Sequence, residues 1–257
     1  TAKVLAGGQS LLPVMALRLS QPDHLIDIGA LSDLHLIDVD EDRLRVGAGV
    51  RQAKAERNGL VRDKIGVLAD ALGLIGHPAI RNRGTVGGSL AHADPAAELP
   101  AVAVALDARM TLREGKGERI VSAEEFFVSY LTTAIAPSEL LTAIDFRIPG
   151  EDAVWAVEEI SRRHGDFALA GLVAVYDEDL GLRLAFFGMG ATPLRARGAE
   201  EILAGGWDGS AISEAMEAVR EELTPDDDIH ATAEYRRHVA GVLLQRCMRS
   251  MANGRRR

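Results

Sequence analysis

A short apolar run, Lys3 to Ala6, opens the chain and stops at Gly7-Gly8, which predicts a buried strand running into a turn. Leu11 to Leu19 has helical character, with Pro13 restricting its start, and His24 to Ile28 is strand-like. Leu34 to Val39 and Arg43 to Val50 alternate apolar and polar residues around acidic turn residues, the pattern of two paired, half-buried strands. Gln52 to Asn58 reads as a helix ended by Gly59. Ile65 to Leu74 reads as a second, apolar at Val67, Leu68, Ala71 and Leu72. His77 to Pro100 shows little regular pattern and is expected to be a long functional loop, its small apolar residues arguing against disorder. Ala101 to Leu106 is apolar, Arg109 to Leu112 resembles an exposed edge strand, Ala123 to Tyr130 a short helix, and Leu140 to Ile148 a strand.

Pro149-Gly150-Glu151-Asp152 divides the chain into residues 1–150 and 151–257. Beyond it, Ala153 to Ser161, Ala168 to Tyr176 and Leu182 to Gly188 predict a three-stranded antiparallel meander. Helical patterns follow at Leu194 to Leu203, Ser210 to Leu223 and Ala233 to Ala252. Mixed strands and helices, then strands, then helices, give an α+β class.

Composition narrows the chemistry. The 257 residues are 47% apolar, enough for a sizeable core. The net charge of −9 argues against nucleic acid, and the Arg255-Arg256-Arg257 run reads as a solvated tail. The single cysteine, Cys247, allows no internal disulfide, which makes a reducing, cytoplasmic setting the default, with the inner face of the membrane as an alternative. One cysteine also cannot ligate an iron–sulfur cluster. No apolar run reaches the ~20 residues of a membrane span.

Two glycine pairs are the strongest local signal: Ala6-Gly7-Gly8-Gln9-Ser10 and Thr85-Val86-Gly87-Gly88-Ser89. A pyrophosphate needs converging backbone N–H donors that side chains would block, and Ser10, Thr85 and Ser89 add hydroxyls. The same pairs also suit ordinary tight turns, and composition alone leaves both readings open. Gly115-Lys116 lacks the upstream glycine of a phosphate loop, and Gly188-Met189-Gly190 runs into Pro193 where a dinucleotide motif needs Gly or Ala. Asp226-Asp227-Asp228 lacks metal-ligand spacing and reads as a charged loop before a helix. Trp155 and Trp207 read as core or interface residues, Tyr235 and Arg236-Arg237 as surface pairing, and Cys247 as a buried helix residue.

Leu5 to Pro13 and Arg83 to Pro95 resemble the two FAD-binding signatures of the medium subunits of molybdenum hydroxylases, the carbon monoxide dehydrogenase branch most of all. Arg162-Arg163-His164-Gly165-Asp166-Phe167-Ala168 and Asp228 to Arg237 resemble the signatures of that family's second domain. The resemblance implies a two-lobed FAD-binding domain of the vanillyl-alcohol-oxidase (PCMH) type followed by a smaller α+β domain. It also implies a first strand and helix preceding Thr1. Ala6, Gly7, Gly8, Gln9, Ser10 and Leu11, with Thr85, Val86, Gly87, Gly88 and Ser89, would cradle the pyrophosphate. His92, Asp94 and Glu98 would run along the ribityl chain and flavin, Leu140 and Leu141 would lie near the adenine, and Phe167 would pack on the isoalloxazine. His92 and Asp94 equally suit structural loop roles, and Glu98 has no obvious partner for a general-acid pair. Relatives often carry a Lys near the flavin where this chain has Glu158, Glu159, Ile160 and Ser161, which alters the charge there. The implied activity is electron transfer from an iron–sulfur small subunit through FAD to an external acceptor (quinone, NAD or O2). The implied assembly includes a large molybdenum subunit, as a dimer of heterotrimers. Two alternatives stay open: a self-contained FAD-dependent oxidoreductase of the same flavin fold, and a non-catalytic assembly module that has lost FAD, against which the intact pair of Gly-Gly turns argues.

Overall fold

The computed structural model describes residues 1–254; the terminal arginine run lies outside them. β1 (Ala2–Leu5) passes through Ala6 to Ser10 into α1 (Leu11–Ala16) and pairs in parallel with β2 (His24–Asp27). Next comes a five-stranded antiparallel sheet, ordered β3 (Ile37–Asp40), β4 (Arg43–Gly47), β9 (Leu140–Arg147), β5 (Arg109–Glu114), β6 (Gly117–Ser122). Between β4 and β5 the chain winds through α2 (Gln52–Arg57), α3 (Gly59–Lys64), α4 (Gly66–Leu74), α5 (Pro78–Arg81), α6 (Val86–His92) and α7 (Glu98–Ala105). α8 (Ala123–Phe126) and the small hairpin β7 (Phe127–Ser129), β8 (Thr132–Thr133) connect β6 to β9.

A second antiparallel sheet is ordered β10 (Val154–Ser161), β11 (Ala168–Asp177), β12 (Gly181–Phe187), β13 (Leu194–Arg195). It is covered by α9 (Arg197–Leu203), α10 (Gly209–Glu222) and α11 (Ala233–Ala252). Both faces of this sheet are buried. Leu172, Ala174, Leu184 and Phe186 pack under the terminal helices, while Val173, Val175, Ala185 and Phe187 join the core of the first region. A strand buried on both faces reads as a continuous apolar run, and Leu172-Val173-Ala174-Val175 is one. α7 packs against β11 and β12 and is buried at every residue, so it too shows no amphipathic stripe.

Several expected elements differ. The irregular stretch from His77 to Pro100 folds instead into α5, α6 and the start of α7. Thr85 makes α6 possible in spite of its glycines: its Oγ1 accepts from Gly88 N–H at 3.0 Å, and Ala93 ends the helix in left-handed conformation (φ 52). β5 is interior, not an edge, with Met110, Thr111 and Leu112 buried; the edge is β6. The helix at Ala123 stops at Phe126, and Phe127 begins β7. Gly59 starts α3 rather than ending α2, because Asn58 caps α3 by accepting from Val61 N–H at 3.2 Å. The meander gains β13, so Leu194 and Arg195 are strand and the helix begins at Arg197.

Candidate functional site

The two glycine segments, 80 residues apart in sequence, meet in space. A Cβ on Gly7 would lie 2.4 Å from the Arg83 carbonyl oxygen and 2.7 Å from Gly84 Cα. A Cβ on Gly88 would lie 3.6 Å from that of Ala6. Glycine at residue 7 is therefore demanded by close backbone approach, and Gly8 by its φ of +73°. Gln9 braces the turn, its Nε2 donating to Gly7 O at 3.1 Å.

The two segments differ in what they leave free. Among the described residues, no acceptor takes the N–H groups of Gly7, Gly8, Gln9 and Ser10. Four neighbouring donors with no partner make an anion cradle. In the second segment the N–H groups are used internally. Val86 donates to Val50 O, Gly87 to Ala48 O, Gly88 to Thr85 Oγ1 and Ser89 to Thr85 O. That segment is the N-terminus of a helix pinned to the chain just after β4, not a free turn. Gly87 is fixed by contact, since a Cβ there would fall 2.3 Å from that of Ala48.

The remaining expected residues fall into groups. Leu11 begins α1, half-buried. His92 closes α6, half-buried. Asp94 spends its Oδ1 on Ala96 N–H at 2.9 Å, ordinary turn chemistry. Glu98 is buried in the first turn of α7, and desolvation pushes its carboxyl up to about 8. Leu140 is half-buried on β9, and its neighbour Leu141 is buried. Phe167 sits on the β10–β11 loop, 72% exposed, a large aromatic with no protein cover.

Arg236 was missed. It is buried, and its guanidinium donates to the carbonyls of Leu169 and Gly188 and to Asp228 Oδ2 at 2.7 Å. Gly188 N–H in turn donates to Pro95 O at 2.7 Å. Arg162 donates to the carbonyls of Ile229 and His230. The two second-region signatures thus bind each other and clamp the Asp94-Pro95 turn. The Arg-Arg pair on α11 gave no sign of this, because a buried arginine follows a surface-like pattern. Asp228 braces its own loop by accepting from His230 and Ala231 N–H, Asp227 accepts from Ala233 N–H at the start of α11, and Thr232 caps that helix by accepting from Tyr235 N–H.

The fold and the open turn define a dinucleotide-cofactor protein, and the donor set fits a pyrophosphate: unpaired N–H groups on a surface kept free of Cβ atoms. Comparison with known proteins makes this specific. Residues 1–149 match the FAD binding domain in molybdopterin dehydrogenase, and residues 155–251 the CO dehydrogenase flavoprotein C-terminal domain. The chain is 37% identical to the 6-hydroxypseudooxynicotine dehydrogenase complex subunit alpha of Paenarthrobacter nicotinovorans, over 96% of this chain and 86% of that one. It is 36% identical to the caffeine dehydrogenase subunit beta of a Pseudomonas species, over 97% and 87%. A chain of the carbon monoxide dehydrogenase of Hydrogenophaga pseudoflava superposes with a TM-score of 0.94 at 34% identity, over 98% and 90%. The chain belongs to the family of FAD-binding medium subunits of the molybdenum hydroxylases. It is an oxidoreductase flavoprotein, and FAD is its cofactor.

Proposed function

We propose that this chain holds FAD as an electron relay inside a molybdenum hydroxylase complex. Electrons would reach it from an iron–sulfur small subunit and leave to an external acceptor, a quinone, NAD or O2. Substrate oxidation would belong to a large molybdenum subunit, in a dimer of heterotrimers. The observation that carries the reading is the set of four unpaired N–H groups at Gly7 to Ser10, beside Arg83 and Gly84. Bound FAD supplies the ability to take electrons singly and pass them on singly or in pairs.

The residues that would hold it follow from the geometry. Ala6 to Leu11 would take the pyrophosphate on backbone donors. Thr85 to Ser89 would contribute shape and the Ser89 hydroxyl, since their N–H groups are spent. His92, Asp94 and Glu98 would line the ribityl chain and ring, Leu140 the adenine end, and exposed Phe167 would cover the isoalloxazine. Cys247 supports the division of labour: it is buried in the helical layer and burial pushes its thiol up, so it offers no thiolate to a cluster. The relatives are named as parts of dehydrogenases for caffeine and a nicotine-derived compound, so the substrate would vary with another subunit. Among the described residues no helix is long and apolar enough to cross a membrane, which fits a cytoplasmic complex or one at the inner membrane face.

The test is purification from the native source. Flavin absorbance together with co-purifying iron and molybdenum subunits is the expected result. Turnover of a small substrate by this chain alone would replace the relay with a self-contained FAD oxidoreductase.

A further inference from the structure

Glu98 and Glu159 bring one carboxyl from each half of the chain to one buried place. Glu98, 8% exposed, lies in the first turn of α7. Glu159 projects from the face of β10 that also carries Trp155 and Val157, the face turned to the first core. Its ladder partner is Gly171, over which the ring of Phe187 sits. Glu159 Oε2 is buried and has no hydrogen-bond partner.

Among the described residues, no cation compensates the two acids. The charges acting on Glu98 are Glu159 and Asp94, both negative. α4 carries a single acid, Asp70, and it is engaged by Trp155 Nε1. β11 presents Gly171. Across β10, Glu158 and Arg246 act on Cys247 of α11 instead. Burial, reinforced by Glu159 and Asp94, pushes Glu98 up to about 8, and burial pushes Glu159 up to about 7. Two like charges disfavour each other in a desolvated site, and a buried carboxylate oxygen without a donor is costly. A proton on either carboxyl relieves both.

We propose that Glu98 and Glu159 form a proton store for the flavin, holding one proton between them and releasing it when electrons arrive. This rests on the reading that FAD lies along the His92 to Glu98 segment. An iron–sulfur donor supplies two electrons in single steps. One O–H bond of the pair would break, its proton would pass to the reduced cofactor, and the pair would be left as two carboxylates. When the acceptor takes the electrons, the proton returns to the pair.

The test is the reduced-minus-oxidised infrared spectrum of the FAD-loaded native complex. Loss of a protonated-carboxyl C=O band on reduction, shifted in D2O and missing in Glu98→Gln and Glu159→Gln, is expected. Flavin content is read from the visible spectrum of the same samples. Flavin present with no carboxyl change in the wild-type complex overturns the proposal alone. Absence of flavin sinks the FAD reading and the proposal with it. If a variant fails to fold, the D2O-sensitive band of the wild type still decides.

Discussion

The indole Nε1 of Trp155 donates to Asp70 Oδ2 at 2.9 Å, and the same ring occupies the space where a Cβ on Gly66 would stand, 2.3 Å away. One side chain from β10 thus bonds and packs α4 across the junction of the two regions. Asp70→Asn is expected to cost about 1 kcal/mol of stability. Trp155→Ala adds a cavity and is expected to cost about 3 to 5 kcal/mol. Urea denaturation of the two variants measures the difference.

The two glycine segments should fail differently. Gly7→Ala pushes a methyl into the Arg83 carbonyl on a peripheral lobe. It is expected to weaken FAD at least tenfold, the effect of about 1.4 kcal/mol, with the core intact. Gly87→Ala collides with Ala48 inside the core and is expected to destabilise the fold by about 1 to 3 kcal/mol. Flavin titration paired with thermal melts separates the two; equal loss of binding and stability in both would contradict the division.

Arg236→Met removes donors from Leu169 O, Gly188 O and Asp228 while keeping the length of the side chain. A loss of about 3 kcal/mol is expected, because buried acceptors are left unpaired. Proteolysis should then open the β10–β11 loop that bears Phe167 before the rest of the second sheet.

Glu98 gives the apoprotein a pH signature. Its carboxyl rises from an ordinary 4.5 to about 8 on folding, so between these values the native state holds more protons than the unfolded one. Stability contributed there is complete below about pH 4.5 and falls as pH rises toward 8. Glu98→Gln should flatten that limb of a stability–pH curve. A curve unchanged by the substitution would mean that the carboxyl titrates normally.

Much of this was readable from residues. The three long strands of the meander, the last two helices and the Gly7-Gly8 turn stand where the pattern placed them, because each carries its own punctuation. The stretch from His77 to Pro100 was not readable. Its helices are short, capped by Thr85, or buried on all sides like α7, and none leaves a 3.6-residue stripe. β5 was misplaced as an edge because Arg109 and Arg113 bracket its buried centre. At the site, the open turn followed from glycine sterics. The spent N–H groups of Val86 to Ser89 depend on Val50 and Ala48, contacts that no local pattern encodes. The burial of Arg236 and of the Glu159 carboxyl was hidden for the same reason, since distant segments decide it.

The sheet β10–β13 serves as an inner wall for two cores at once. Val173 and Val175 answer to one, Leu172 and Ala174 to the other, on alternate positions of a single strand. This makes the second region a poor unit for grafting. A C-terminal half transplanted from a relative would have to match α4 and α7 of its host, residue by residue, across a face the donor shaped for different helices. Chimeras joined near residue 150 should therefore succeed only when α4 and α7 travel with the sheet they support.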